Sequence, residues 1–128
     1  DYNKMGLLLF KLMFLKESLF CFNKAVELNP YESNYYNNKG LVLNEICDYD
    51  NALQCFDNAI KLDCNNASFY SNKGNSLEQL SKFGEAIEFY DKAIKLDSIN
   101  PIYYNKKIIA LTNLGRFEEA DECVKILN

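Results

Sequence analysis

Histidine and tryptophan are both absent from the 128 residues. Without histidine the chain lacks the commonest general base and the commonest metal ligand. A cysteine nucleophile would need an adjacent base or cation to lower its pKa, and Cys47 has Asp48 beside it, which works the other way. The five cysteines, Cys21, Cys47, Cys55, Cys64 and Cys123, are odd in number and contain no C-x-x-C pair. Neither a disulfide framework nor a zinc site is therefore indicated, and no catalytic residue, cofactor or metal site is assigned. Free thiols are expected, and with them a cytoplasmic or other reducing intracellular compartment. Basic blocks are missing too: 14 Lys and Arg stand against 18 Asp and Glu, a net charge of −4. Nucleic acid needs cations clustered on one face, so it is excluded as a partner, and anionic membrane surfaces are disfavoured for the same reason. The longest apolar stretch, Met5 to Leu15, is interrupted by Lys11, too short for a membrane span and not preceded by a charged signal-peptide region.

What the chain does contain is repetition. Tyr35–Asp63, YYNNKGLVLNEICDYDNALQCFDNAIKLD, moved forward by 34 residues falls on Phe69–Asp97, FYSNKGNSLEQLSKFGEAIEFYDKAIKLD. The same period aligns Tyr2, Tyr36, Tyr70 and Tyr104, and likewise Leu9, Leu43, Leu77 and Leu111. Gly6, Gly40 and Gly74 form a column that ends in Ile108, while Phe22, Phe56 and Tyr90 form one that ends in Val124. Ala25, Ala59 and Ala93 end in Leu127, and Ser18 stands in the column of Ala52, Ala86 and Ala120. A self-match at fixed period marks a chain of stacked units, whose core is a row of interfaces.

These Tyr, Gly and Leu columns, followed by Ala, Phe/Tyr and Ala, resemble the tetratricopeptide (TPR) repeat over the full chain. The resemblance implies an all-α, right-handed α-solenoid of helical hairpins, a single array over 1–128 with units near 1–32, 33–66, 67–100 and 101–128. The first unit lacks its opening residues, so a piece of a longer protein is expected. Apolar spacing predicts helices near 2–14, 17–29, 33–46, 50–63, 67–80, 84–97, 101–114 and 118–127. Asn100-Pro101 reads as an N-cap with proline at the first helical position, Asn29-Pro30 as a stop, and Gly115 as a left-handed turn residue. Gly40 and Gly74, with Ala52 and Ala86, are expected where paired helices cross, leaving the Tyr and Phe columns to fill the gaps between successive units. Cys21, Cys55 and Cys123 share a column that reads as a semi-buried slot. Lys39, Lys73 and Lys107 are expected to lay their stems along the Tyr column with their ammonium groups in water.

Two surfaces stand out. The opening helix, MGLLLFKLMFL, is apolar nearly all round and wants burial on every side. Leu7, Phe10 and Phe14 are expected to form an exposed patch that meets a preceding repeat or, making a homo-oligomer, another copy of the chain. The other surface is the polar stripe of each first helix, opposite the Tyr/Leu stripe. In tetratricopeptide proteins the first helices line the concave groove. The resemblance therefore implies that Asn34, Asn37, Asn38, Leu41 and Asn44 face a ligand, with Ser71, Asn72, Asn75, Asn105, Lys106 and Ile109 in the later units. An asparagine can donate to a backbone carbonyl and accept from a backbone N–H of an extended peptide. The clamp by which some family members hold acidic chaperone tails maps onto Asn3 or Asn37 for its lysine. Its further cations map onto Ser68 and Asn72, or Ile102 and Lys106, and only Lys106 is a cation, which argues against that ligand. The expected function is a non-catalytic protein–protein interaction module for a peptide or partner segment. The alternatives are a spacer or self-associating segment of a longer array, or a substrate-selecting arm of an enzyme encoded elsewhere in the full chain.

Overall fold

A computed structural model describes residues 1–128 and contains eight α-helices and no strand. They form two compact units, Asp1–Cys64 and Asn65–Asn128. The first holds α1 (Tyr2–Lys11), α2 (Leu15–Leu28), α3 (Ser33–Glu45) and α4 (Tyr49–Leu62). The second holds α5 (Ala67–Gln79), α6 (Phe83–Leu96), α7 (Pro101–Asn113) and α8 (Phe117–Leu127). Within each unit every helix packs on the next, and the two first helices, α1 with α3 and α5 with α7, also touch.

The turn inside each hairpin is the same. Met13, Cys47, Ser81 and Gly115 occupy one sequence column and all take positive φ, between 61° and 75°. Each sits one residue past the C-cap of a first helix, and its neighbour closes the helix. Phe14 N donates to Leu9 O, Asp48 N to Leu43 O, Lys82 N to Leu77 O and Arg116 N to Leu111 O, at 2.8–2.9 Å. These are the six-to-one bonds of a Schellman cap, which satisfies carbonyls the helix end would leave bare. The reading of Gly115 as a left-handed residue therefore holds, and it extends to three side-chain-bearing residues at the same place. Because this cap ends the first helix early, α1 stops at Lys11 and the second helices begin one or two residues before the expected positions. At the starts of the first helices, Asp1, Asn66 and Asn100 each accept a backbone N–H through the side chain, and Pro101 opens α7 as expected.

The core explains the glycine column. A β-carbon on Gly6, Gly40 or Gly74 would stand 2.6–2.7 Å from a ring carbon of Phe22, Phe56 or Tyr90, sixteen residues later in the same hairpin. Those rings are fully buried. The aromatic column thus lies against the glycine of its own hairpin, not in the gap between units as expected. Glycine is needed here for space, since a helix otherwise prefers alanine. Burying each ring contributes about 1.5–3 kcal/mol. In the fourth hairpin the two columns change together, glycine to Ile108 and aromatic to Val124. Ser18, the polar member of the alanine column, is also fully buried; its Oγ donates to Gly6 O at 2.7 Å, across the first hairpin.

Candidate functional site

The amide stripe of the first helices is largely accessible. Asn34, Asn105 and Ile109 are exposed, while Asn37, Asn38, Leu41, Asn44, Asn72, Asn75 and Lys106 are half-buried. Ser71 departs from the expectation: it is only 4% exposed, so its short side chain cannot reach a partner. In the first unit, Asn38 Nδ2 donates to Asn3 Oδ1 at 2.9 Å. This rung joins α3 to α1 and leaves the Asn38 carbonyl oxygen and a second N–H able to meet a ligand. In the second unit, the hydroxyls of Ser68 on α5 and Tyr103 on α7 stand 3.4 Å apart. Further along the same face, burial pushes the Glu78 carboxyl up, with Lys106 opposing.

The second surface is the outer side of α1. Leu7 and Phe10 line a groove of about 610 Å³ together with Leu8, Lys11, Met13 and Glu45. Phe14 is exposed but lies outside both that groove and the helix, at the N-cap of α2. Sequence reasoning missed Leu8, which is 57% exposed, whereas Val42, Ser76 and Ala110 in its column are 0% exposed. The signal was available: the other three members of that column are smaller than leucine.

The lysine column behaves differently from expectation. Lys107 Nζ stands 2.7 Å from Asp91 Oδ1, and Lys73 Nζ lies 4.3 Å above the Phe89 ring. Burial works against the Lys107 charge, but Asp91 outweighs it and holds the ammonium above the ordinary lysine range. These ammonium groups therefore have partners on α6, sixteen residues after Lys73 and sixteen before Lys107, instead of water alone. The cysteine column is buried at Cys21, Cys55 and Cys123, all five cysteines are free thiols, and burial raises Cys55 and Cys123 above the usual thiol range. Raised thiols are poor nucleophiles. No helix is long and apolar enough to cross a membrane.

Tandem antiparallel hairpins with one turn geometry and one glycine–aromatic contact define an all-α repeat array. Residues 67–100 match the family model of the tetratricopeptide repeat, and residues 48–81 match one described as TPR repeat. The eight helices of the chain fit about four tandem units of that repeat. No curated protein matches it in sequence. Its fold is similar to MamA from Desulfovibrio magneticus RS-1, with a TM-score of 0.91 and 23% identity over 98% of this chain and 72% of that one. It is also similar to the Arabidopsis OM64 TPR domain, with a TM-score of 0.82 and 22% identity over 85% and 90% of the two chains. A third similar structure is the first TPR of Spaghetti (RPAP3) bound to the HSP90 peptide SRMEEVD, with a TM-score of 0.86 and 21% identity over 89% and 90%.

Proposed function

We propose that the chain is a non-catalytic binding module that holds an extended partner segment along the amide stripe of its first helices. The observation that carries this reading is the accessible row of asparagines on α3, with Asn72, Asn75 and Asn105 on the first helices of the second unit. Asn34, Asn37, Asn38 and Asn44 supply both donors and acceptors, which suits a peptide backbone more than one kind of side chain. Leu41, Lys106 and Ile109 add apolar and cationic contacts beside them. The RPAP3 domain, which is similar in fold, holds a peptide. Of the cations expected of an acidic-tail clamp only Lys106 is present, so a different peptide is proposed. Affinity in the micromolar range is expected for so short an array. A peptide-array screen tests this: hits should weaken at least about tenfold on the Asn38→Ala/Asn72→Ala protein. Equal binding by that variant would remove the amide stripe as the site.

A second reading concerns association with another copy, and Leu8 favours it. A column that is closed in three hairpins stands open in the first, with Leu7 and Phe10 beside it. The occupant that fits is the α8 end of a second copy. There Glu118, Glu119, Asp121 and Glu122 accompany exposed Phe117 and Ile126, whereas α1 carries Lys4 and Lys11 and no acid. Such a head-to-tail contact is heterologous and would give oligomers that grow with concentration. Sedimentation equilibrium should show that growth, and Leu8→Glu should abolish it; an ideal monomer at high concentration would sink the idea.

A further inference from the structure

A separate groove of about 400 Å³ lies on the other side of the first unit, between the second helices α2 and α4, with α3 beneath. Asn23 of α2, Lys39 of α3 and Asn51, Gln54, Cys55 and Asn58 of α4 line it. Its position in the repeat has a counterpart 68 residues later, between α6 and α8 over α7. There Lys107 takes the place of Lys39 and Asp91 the place of Asn23, and the two form the 2.7 Å ion pair. In the column of residues 23, 57 and 91, only the first member is an amide, and the others are Asp57 and Asp91. Lys39 has no such ion pair. The carboxylate that lines the groove, Asp48, is held instead by Asn51 Nδ2 at 2.8 Å, and the Tyr36 hydroxyl donates to Pro30 O at 3.0 Å. The third hairpin has the ring of Phe89 in this column, whereas Cys55 leaves the space open.

We propose that this groove receives an acidic side chain of an extended partner segment, whose carboxylate pairs with Lys39 as Asp91 pairs with Lys107. The repeat itself supplies the template: the same lysine, on the same helix face, already takes a carboxylate from the second helix before it. Replacing that carboxylate by the Asn23 amide removes the internal partner and adds a donor for the incoming one. Gln54 and Asn58 stand on the opposite wall, where side-chain amides can meet the backbone on either side of the acidic residue. A half-buried ion pair of this kind gains more than an exposed one because solvent screens it less.

The test uses two synthetic libraries of N-acetylated, C-amidated nonapeptides, randomised except for a central Glu in one and a central Gln in the other. The proposal expects the wild-type chain to retain the Glu library at least about tenfold better than the Gln library. Two variants should bring that ratio to about one. Asn23→Asp restores the internal ion pair, and Lys39→Met installs the residue already found in that column at Met5. Both are expected to keep the wild-type far-UV circular dichroism and melting curve. Lys95→Met, at an exposed lysine of α6 that does not line the groove, should leave the ratio unchanged, and Asn38→Ala/Asn72→Ala reports separately on the first-helix stripe. Equal retention of the two libraries, no retention of either, or a ratio that survives Asn23→Asp would each overturn the proposal. Loss of the ratio only in the Asn38/Asn72 variant would place the acidic peptide on the first-helix face, overturning this groove while leaving the amide-stripe reading intact.

Discussion

The hydroxyl of Tyr90 and Oε1 of Glu78 are buried neighbours, and neither makes a well-formed hydrogen bond. Burial, and then the nearby Glu78 charge, drives the Tyr90 phenol far above its usual range, so it stays neutral at any working pH. A buried polar group without a partner costs about 1–3 kcal/mol. Phe22 and Phe56 fill the same column without a hydroxyl. Tyr90→Phe is therefore expected to stabilise the chain by about 1 kcal/mol, raising Tm by a few degrees. A melt that falls would mean that the hydroxyl is satisfied in solution.

Glu78 should give that region a pH dependence. Burial raises its carboxyl pKa, while the Lys106 charge works against that rise. A carboxyl whose pKa is higher folded than unfolded carries a cost when ionised. The cost is present at neutral pH, shrinks as pH falls through the folded pKa, and is gone below the unfolded value of about 4.3. Glu78→Gln should accordingly be more stable than the wild type at pH 7. Urea unfolding from pH 8 to pH 4 should show the two converging as the wild type protonates. Divergence on acidification would reverse the sign and refute the assignment.

Gly40 and Gly74 set up a contest between two effects. Alanine in a helix interior is favoured over glycine by about 1 kcal/mol. Here its β-carbon would press on the Phe56 or Tyr90 ring at 2.6 Å, and overpacking of a core typically costs about 1–3 kcal/mol. The clash is expected to win, so Gly40→Ala should lower stability. Gly74→Val and Ala86→Leu should lower it further, because Ala86 O already lies 3.2 Å from the β-carbon position of Gly74. Phe56→Leu combined with Gly40→Ala should be less damaging than the sum of the two changes, as their sites share one space. A Gly40→Ala protein more stable than wild type would show that the ring moves aside freely.

The period of 34 residues carried most of the fold, because each column must meet the same surroundings in every unit. Which columns meet one another was less legible. Gly40 and Phe56 are sixteen residues apart, and nothing in either residue type says that the ring lies on the glycine of its own hairpin. The lysine partners were hidden for the same reason: Lys107 and Asp91 are joined by packing of α7 on α6, not by local spacing. The amide stripe was readable from helical periodicity, but Ser71 shows its limit, since a short side chain on an outward-facing column can still be covered. Leu8 could have been found by comparing its size with Val42, Ser76 and Ala110.

The turn column offers a last prediction. Met13, Cys47 and Ser81 hold φ of 64°, 69° and 61°, while Gly115 holds 75° at the equivalent position. A residue with a β-carbon pays about 1–2 kcal/mol in the left-handed region, and glycine gives back about 0.5–1 kcal/mol through its looser unfolded chain. Ser81→Gly is therefore expected to raise stability by about 0.5–1 kcal/mol, with Cys47→Gly and Met13→Gly moving the same way. Gly115→Ala should move in the opposite direction by a similar amount. Urea melts of the four proteins decide it. The Schellman bonds from Lys82 N to Leu77 O and from Arg116 N to Leu111 O, both 2.9 Å, are backbone contacts that every variant retains, so a difference must come from the φ of the substituted residue. A loss of stability in Ser81→Gly would show that its hydroxyl, not its backbone, matters at that turn.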